Sequence, residues 1–143
     1  MFELRTFEER LKNWAGFRSQ LESSDNPLKD VINYYNLAPL VSINVDPWDK
    51  DIWPNAWELI NENQYCSFCK VLGMCYTLQL TERFKDGAFE IHIASDNKNS
   101  STHYYLLVNK KTVIGYKEDE TMDIQALPET LYSQRIYEMD NLQ

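Results

Sequence analysis

Glycine is scarce in this chain of 143 residues: there are four, none adjacent to another. That excludes the clustered-glycine loops that cradle phosphate groups. Histidine is scarcer still, with His92 and His103 only. Cysteine is limited to Cys66, Cys69 and Cys75, an odd number crowded into ten positions. Such crowding argues against disulfide stapling and fits a reducing compartment. A structural zinc site needs four ligands, typically from two close pairs. Cys66, Cys69, His92 and His103 supply only one close pair, so no metal is expected, and no motif calls for a cofactor. Nowhere does an uncharged apolar run approach the roughly 20 residues of a membrane helix. The start, Met1-Phe2-Glu3-Leu4-Arg5, lacks a basic region followed by an apolar run, so no signal peptide is expected. Basic charge is also deficient: 14 Lys and Arg stand against 22 Asp and Glu, a net charge of −8. A surface of that sign disfavours nucleic-acid backbones and anionic membranes as partners. Internal repeats and low-complexity segments are lacking too.

Aromatic residues are plentiful: four Trp, nine Tyr and six Phe. Each buries a large area, so they should dominate the core or an interface. The length fits one domain with a sizeable core of its own. Thr6-Phe7-Glu8-Glu9 reads as a capping box opening a helix to about Glu22. Asn26-Pro27 opens a second helix, with Asn as cap and Pro at the first helical position, and Ala38-Pro39 ends it. Asp46-Pro47-Trp48-Asp49 is a turn. A third helix opens at Pro54, with Trp53 and Trp57 placed to pack as a pair, and Asn63 is placed to cap the helix that follows. Beyond residue 84 the period changes. Phe89, Ile91 and Ile93 alternate with Glu90 and His92 as a half-buried strand. A polar loop over 95–102 precedes a strand over His103–Val108. A short hairpin at Asn109-Lys110-Lys111 leads to a strand over Thr112–Tyr116. Residues 117–123 read as an acidic loop, and Ser133–Met139 as a fourth strand. Helices first, then an antiparallel sheet of three to four strands, is the α+β pattern. The single domain spans 1–143, with a helical part over 1–62 and a central helix plus sheet over 63–143.

Residues 64 to 84 hold all three cysteines and are apolar on most faces, which predicts a buried central helix. Cys66 falls near its start, where unpaired N–H groups and the macrodipole favour a thiolate. A nucleophilic thiol also needs a base and a group that orients the base. His103 opens a strand and Asp119 follows the next one, so the two can approach across the hairpin end. The blander reading is that all three cysteines pack as small hydrophobes. Cys66-Ser67-Phe68-Cys69 is also a CxxC pair. A redox site of that kind follows a buried strand, whereas the residues before this pair read as helix and turn.

The order of Cys at a helix start, strand, strand opening on His, and strand ending in Asp resembles the transglutaminase-like branch of the papain-type cysteine fold. The resemblance covers about residues 63 to 120. It implies Cys66 as nucleophile, His103 as base and Asp119 as the orienting acid of an amide hydrolase or transamidase. The chain departs from that family at Tyr65 and Ser67 beside Cys66, at Tyr104 and Tyr105 after His103, and at Glu120 after Asp119, and the acidic loop offers Glu118 as a rival for Asp119.

A second set of segments points elsewhere: Asp46-Pro47-Trp48-Asp49, Trp53-Pro54-Asn55-Ala56-Trp57-Glu58-Leu59-Ile60, and Tyr65 to Gly73 with Tyr76 to Phe84. These resemble short uncharacterised proteins of tailed bacteriophages, encoded among virion structural genes, over about residues 26 to 116. That resemblance implies a non-enzymatic subunit of the neck, tail or baseplate, in the host cytoplasm before assembly and in the virion afterwards. Its partners would be other virion structural proteins or further copies of itself, as a homo-oligomer or ring. Trp48, Trp53, Trp57, Tyr104 and Tyr105 are the aromatic candidates for such contacts, since Trp and Tyr dominate interface hot spots. This assembly reading is the leading expectation, and the Cys66–His103–Asp119 enzyme is the alternative.

Overall fold

A computed structural model describes residues 1–142. Four helices precede a five-stranded sheet, which establishes the α+β class. α1 (Phe7–Leu21) begins where Thr6 accepts a hydrogen bond from the Glu9 N–H. α2 (Pro27–Asn36) begins where Asn26 accepts from the Lys29 N–H, with Pro27 in its first turn. α3 (Ala56–Glu62) carries the complete reciprocal capping box, between Asn55 and Glu58. It opens two residues later than Pro54 suggests, and it ends at Asn63, which is left-handed at φ 52°. Asn63 therefore closes α3, and Cys66 occupies the N-cap of the next helix. α4 (Ser67–Gln79) is shorter than the 64–84 reading at both ends: it stops at the Leu80 C-cap, where the Thr81 hydroxyl takes up the Leu78 carbonyl, and Gln64 and Tyr65 are drawn out of its start. Tyr65 forms a parallel bridge with Leu40, and its carbonyl accepts from the Val41 N–H at 3.2 Å.

The strands are β1 (Phe89–Asp96), β2 (Ser101–Val108), β3 (Thr112–Ile114), β4 (Met122–Asp123) and β5 (Leu131–Glu138). Their spatial order is β4-β3-β2-β1-β5, every pairing antiparallel. Strands β1 and β2 run three and two residues further into the polar loop than the alternation marks. The β2–β3 turn places Asn109 and Lys110 at positive φ, as tight hairpin turns require. β4 lies inside the segment expected to be an acidic loop. In β5, Ile93 pairs with Arg135 and Ala94 with Ser133, so Gln134 is the extra residue of a bulge on this edge strand.

Side-chain parity decides what each face of the sheet meets. Phe89, Ile91, Ile93, Leu106, Val108 and Ile114 join the main core with the helices. Ala94, Tyr105, Leu107 and Val113 point the other way, beneath Tyr116, Met122, Ile124, Leu127 and Leu131. The chain after β3 thus folds back over the second face and covers its centre, while Ile136 on β5 stays half exposed there.

α4 is the central element. Its Thr77 hydroxyl donates to the Gly73 carbonyl at 2.7 Å. Having spent its only proton, that oxygen accepts from Trp14 Nε1 at 3.0 Å and from the Tyr35 hydroxyl at 2.9 Å. One hydroxyl therefore ties α1, α2 and α4 together. Arg10 completes the helical layer. It is 7% exposed and donates to the carbonyls of Leu4, Ile60 and Asn61, so α1 caps the end of α3.

Candidate functional site

Cys66 stands where the Gln64-Tyr65 extended piece turns into α4. Its φ of −80° and ψ of 174° place it at the N-cap, and its sulfur closes no ordinary cap hydrogen bond. The sulfur is nonetheless surrounded by donors. The Cys69 thiol, one helical turn on, donates to it, and the backbone N–H groups of Cys69, Asn44 and Phe68 face it. These donors outweigh burial, which opposes ionisation, and they bring the Cys66 thiol from its ordinary value near 9 down to about 5. Cys69 moves the other way: hydrogen bonding to the Cys66 sulfur, and then burial, push its thiol up. Cys69 Sγ also lies 3.8 Å from Asn44 Oδ1 as a second acceptor. Cys75, fully enclosed in mid-helix, is raised by burial.

A cavity of about 230 Å³ opens onto Cys66. Leu40, Val41, Ile43 and Pro47 form one wall, with Phe68 and Tyr104 opposite. The wall is held in place by backbone pairing of 40–41 with Tyr65 and by Asn44 Nδ2 donating to the Gln64 carbonyl. The site is therefore a thiol of lowered pKa at a helix start, a second thiol one turn away, and an apolar opening above them.

His103 is not part of it. β2 alternates, so Tyr104 faces Cys66 while His103 shares the opposite face with Tyr105 and Leu107. The His103 ring hydrogen-bonds Ser101 Oγ at 2.6 Å and packs 5.2 Å from Tyr116. Its carboxylate neighbour is Asp96, whose carboxyl is held low first by the Lys98 N–H, then by the Thr130 side chain, with His103 adding to the effect. Asp119 is exposed in the loop after β3, and that loop is tied to α2 where Asn36 Nδ2 donates to the Glu118 carbonyl. The sheet thus separates thiol from imidazole, and the Cys66–His103–Asp119 relay is not assembled. The reason is a parity of one residue in β2.

Among the aromatic candidates, Trp48 and Trp57 are about half exposed. Trp53 instead packs on Phe68 and Tyr137, with centroids 4.9 and 4.8 Å away, so it does not pair with Trp57 as a staple. Tyr104 is partly buried against Phe68 and lines the Cys66 cavity. Tyr105 is buried and stacks on the His92 ring at 4.6 Å, which leaves it no surface for a partner. Sequence reasoning missed two groups. One is Asn44 with the 40–43 wall; the apolar run Leu40-Val41-Ser42-Ile43, between the end of α2 and the Asp46 turn, is the signal that could have found it. The other is a network on the second face. There His92 Nε2 meets Glu90 Oε1 at 2.9 Å, and Nδ1 meets Ser133 Oγ at 2.6 Å and the Tyr105 hydroxyl at 3.1 Å. Both ring nitrogens of a buried histidine are satisfied in this way.

Among the described residues, no group of three or more His, Cys, Asp or Glu is placed to hold a metal ion. No helix among these residues is long and apolar enough to cross a membrane. No protein family matches the chain, and no curated protein or solved structure is significantly similar to it.

The low Cys66 value has a consequence for stability. A folded-state pKa below the unfolded one confers stability that is complete above the ordinary thiol range and is lost as pH falls through about 5. Denaturant midpoints measured from pH 8 down to 5 should fall more steeply for the wild-type chain than for Cys66→Ser. Parallel slopes would mean that the folded state does not favour the thiolate.

Proposed function

We propose that this chain is a non-enzymatic protein-binding subunit that assembles with neighbouring virion proteins of a tailed phage. The observation that carries the reading is the apolar exposure of one irregular segment, residues 37 to 57. Leu37 is 73% exposed, Leu40 60% and Ile43 76%, and Val41, Trp48, Ile52 and Trp57 are exposed beside them in sequence. Apolar side chains concentrated this way mark interaction surfaces, and half-exposed tryptophans are the commonest hot-spot anchors.

The segment is not loose. The Trp48 N–H donates to Asp46 Oδ1, Trp53 Nε1 to the Asp46 carbonyl, and the Tyr137 hydroxyl to the Trp48 carbonyl. A 3₁₀ turn at Lys50–Ile52 fixes its far end. Pre-ordered backbone lowers the entropic cost of binding. Asp46, Asp49 and Asp51 are exposed along the same segment. The partner surface that fits has an apolar centre with a basic rim. The resemblance of Asp46–Asp49 and Trp53–Ile60 to virion-encoded phage proteins supports the identity of that partner, and the separation of Cys66 from His103 supports a non-enzymatic role.

Purified particles analysed by mass spectrometry should contain the chain. Ile43→Asp and Trp48→Ala should each weaken incorporation by more than about tenfold while the unfolding midpoint stays near wild type, as exposed hot-spot residues do. Particles that lack the chain, or that take up both variants normally, contradict the reading.

A further inference from the structure

We propose that Cys66 and Cys69 form a dithiol site that undergoes exchange with small disulfides, Cys66 attacking and Cys69 resolving, and closes to an intramolecular disulfide. This inference goes beyond the assembly reading and does not depend on it.

Three independent features of geometry carry it. The first is spacing. Cys66 at the N-cap and Cys69 in the first turn of α4 are an i, i+3 pair on one helix start. Such a pair falls within the Cα separation of about 4.4–6.8 Å that a disulfide spans. The second is position. The helix and turn that the sequence suggests, α3 and left-handed Asn63, come first, and a two-residue extended link, Gln64-Tyr65, bridged to Leu40, then sets Cys66 at the start of α4. The third is access. Cys66 is 3% exposed, and the 230 Å³ cavity that it lines, between the 40–43 wall and Tyr104, is the route by which a small disulfide would approach its sulfur. Cys69 and Cys75 are both fully buried, but Cys75 lies six residues further along α4, away from the cavity and from Cys66, and stays out of the exchange. The donors around Cys66 and the opposite environment of Cys69 give the two sulfurs different roles, nucleophile and reserve.

The step balances without a metal or a bound cofactor. The Cys66 thiolate attacks one sulfur of an external disulfide, forming a mixed disulfide and releasing one thiolate. The Cys69 thiol loses its proton to solvent or to that thiolate. Its sulfur then attacks Cys66 Sγ, closing the Cys66–Cys69 bond and releasing the second thiolate. The protein dithiol is oxidised by two electrons, and the external disulfide is reduced to two thiols.

The test uses the full-length chain and oxidised glutathione. Intact mass after exchange should show loss of two hydrogen atoms, and differential alkylation should map the bond to Cys66–Cys69 with Cys75 free. Cys69→Ser should stall as the glutathione mixed disulfide on Cys66, and Cys66→Ser should form neither product. A thiolate of low pKa is also a weaker nucleophile. Alkylation of Cys66 should therefore be only modestly faster than that of a small reference thiol at pH 6.5, but it should change less than about twofold from pH 6.5 to 8, where the reference rises by more than about tenfold. A rate that climbs with pH like the reference thiol overturns the proposal. So does an unmodified wild-type chain, or label that appears first on Cys75. The wild-type alkylation profile decides the matter even if a serine variant fails to fold.

Discussion

Replacing Trp14 with Ala is expected to cost about 3–5 kcal/mol of folding stability, the range for deleting a fully buried tryptophan. Trp14 is 1% exposed, and its indole fills the junction of α1 with α4. Two effects combine there. The larger is the lost apolar burial together with the cavity left behind. The smaller is the loss of the Nε1 donor to Thr77 Oγ1, which a net hydrogen-bond contribution puts near 1 kcal/mol. Trp14→Phe separates them, because it keeps much of the apolar volume and deletes the donor. The Ala variant should fall well below the Phe variant in chemical denaturation. Equal losses would mean that the hydrogen bond, and not packing, holds α1 to the core.

The second large effect concerns glycine, with opposite signs at two helical positions. A Cβ at Gly73 would lie 2.5 Å from Tyr35 Cε1 and 2.8 Å from Cζ. That ring cannot swing aside. Its hydroxyl is bound to Thr77, and Phe2, Tyr34 and Tyr65 pack around it at centroid distances of 5.7, 5.5 and 5.9 Å. Overpacking of a pinned ring costs about 1–3 kcal/mol for one methyl, and a branched side chain adds more. The gain in helix propensity on leaving glycine is only about 1 kcal/mol. Gly73→Val should therefore destabilise strongly, and Gly73→Ala should still be net unfavourable. Gly16, in the exposed middle of α1, has nothing within 4 Å of its Cβ position. Gly16→Ala should stabilise by about 0.5–1 kcal/mol. If both glycines respond with the same sign, α2 does not approach α4 as closely as the structure has it.

The helix starts at Thr6 and Asn26, the strand alternation of 89–93 and the Asn109–Lys111 hairpin were legible because each rests on local chemistry. What was not legible rests on pairing between distant segments. α4 was read too long because nothing in residues 64–66 announces that Leu40 will bridge Tyr65 and hold it extended. The His103 relay failed because the facing of a strand residue follows from register, which pattern alone does not fix relative to a helix earlier in the chain. A signal did exist. Tyr104-Tyr105-Leu106-Leu107-Val108 is apolar without alternation, as in a strand covered on both faces. Read that way, the run implies that something covers the second face. Met122, Ile124 and Leu127 are that cover, too sparse among acidic residues to stand out.

The setting of the CxxC pair was legible only in part. The helix and turn read before it are α3 and Asn63, but the bridge of Tyr65 to Leu40 and the opening lined by the 40–43 wall come from a distant segment. The dithiol lies under the segment proposed to meet other virion proteins, so its state and the docking surface share residues Leu40, Val41 and Ile43.

The docking claim is tested most directly by photo-cross-linking in assembled particles, with a photoreactive residue placed at position 43 and, as a control, at exposed position 23, past the end of α1, where Glu22 meets the chain after α4. The expected result is a cross-link from position 43 to a neighbouring virion protein and none from position 23. Particles that carry the chain but give no cross-link at position 43, or give the stronger one at position 23, would contradict it.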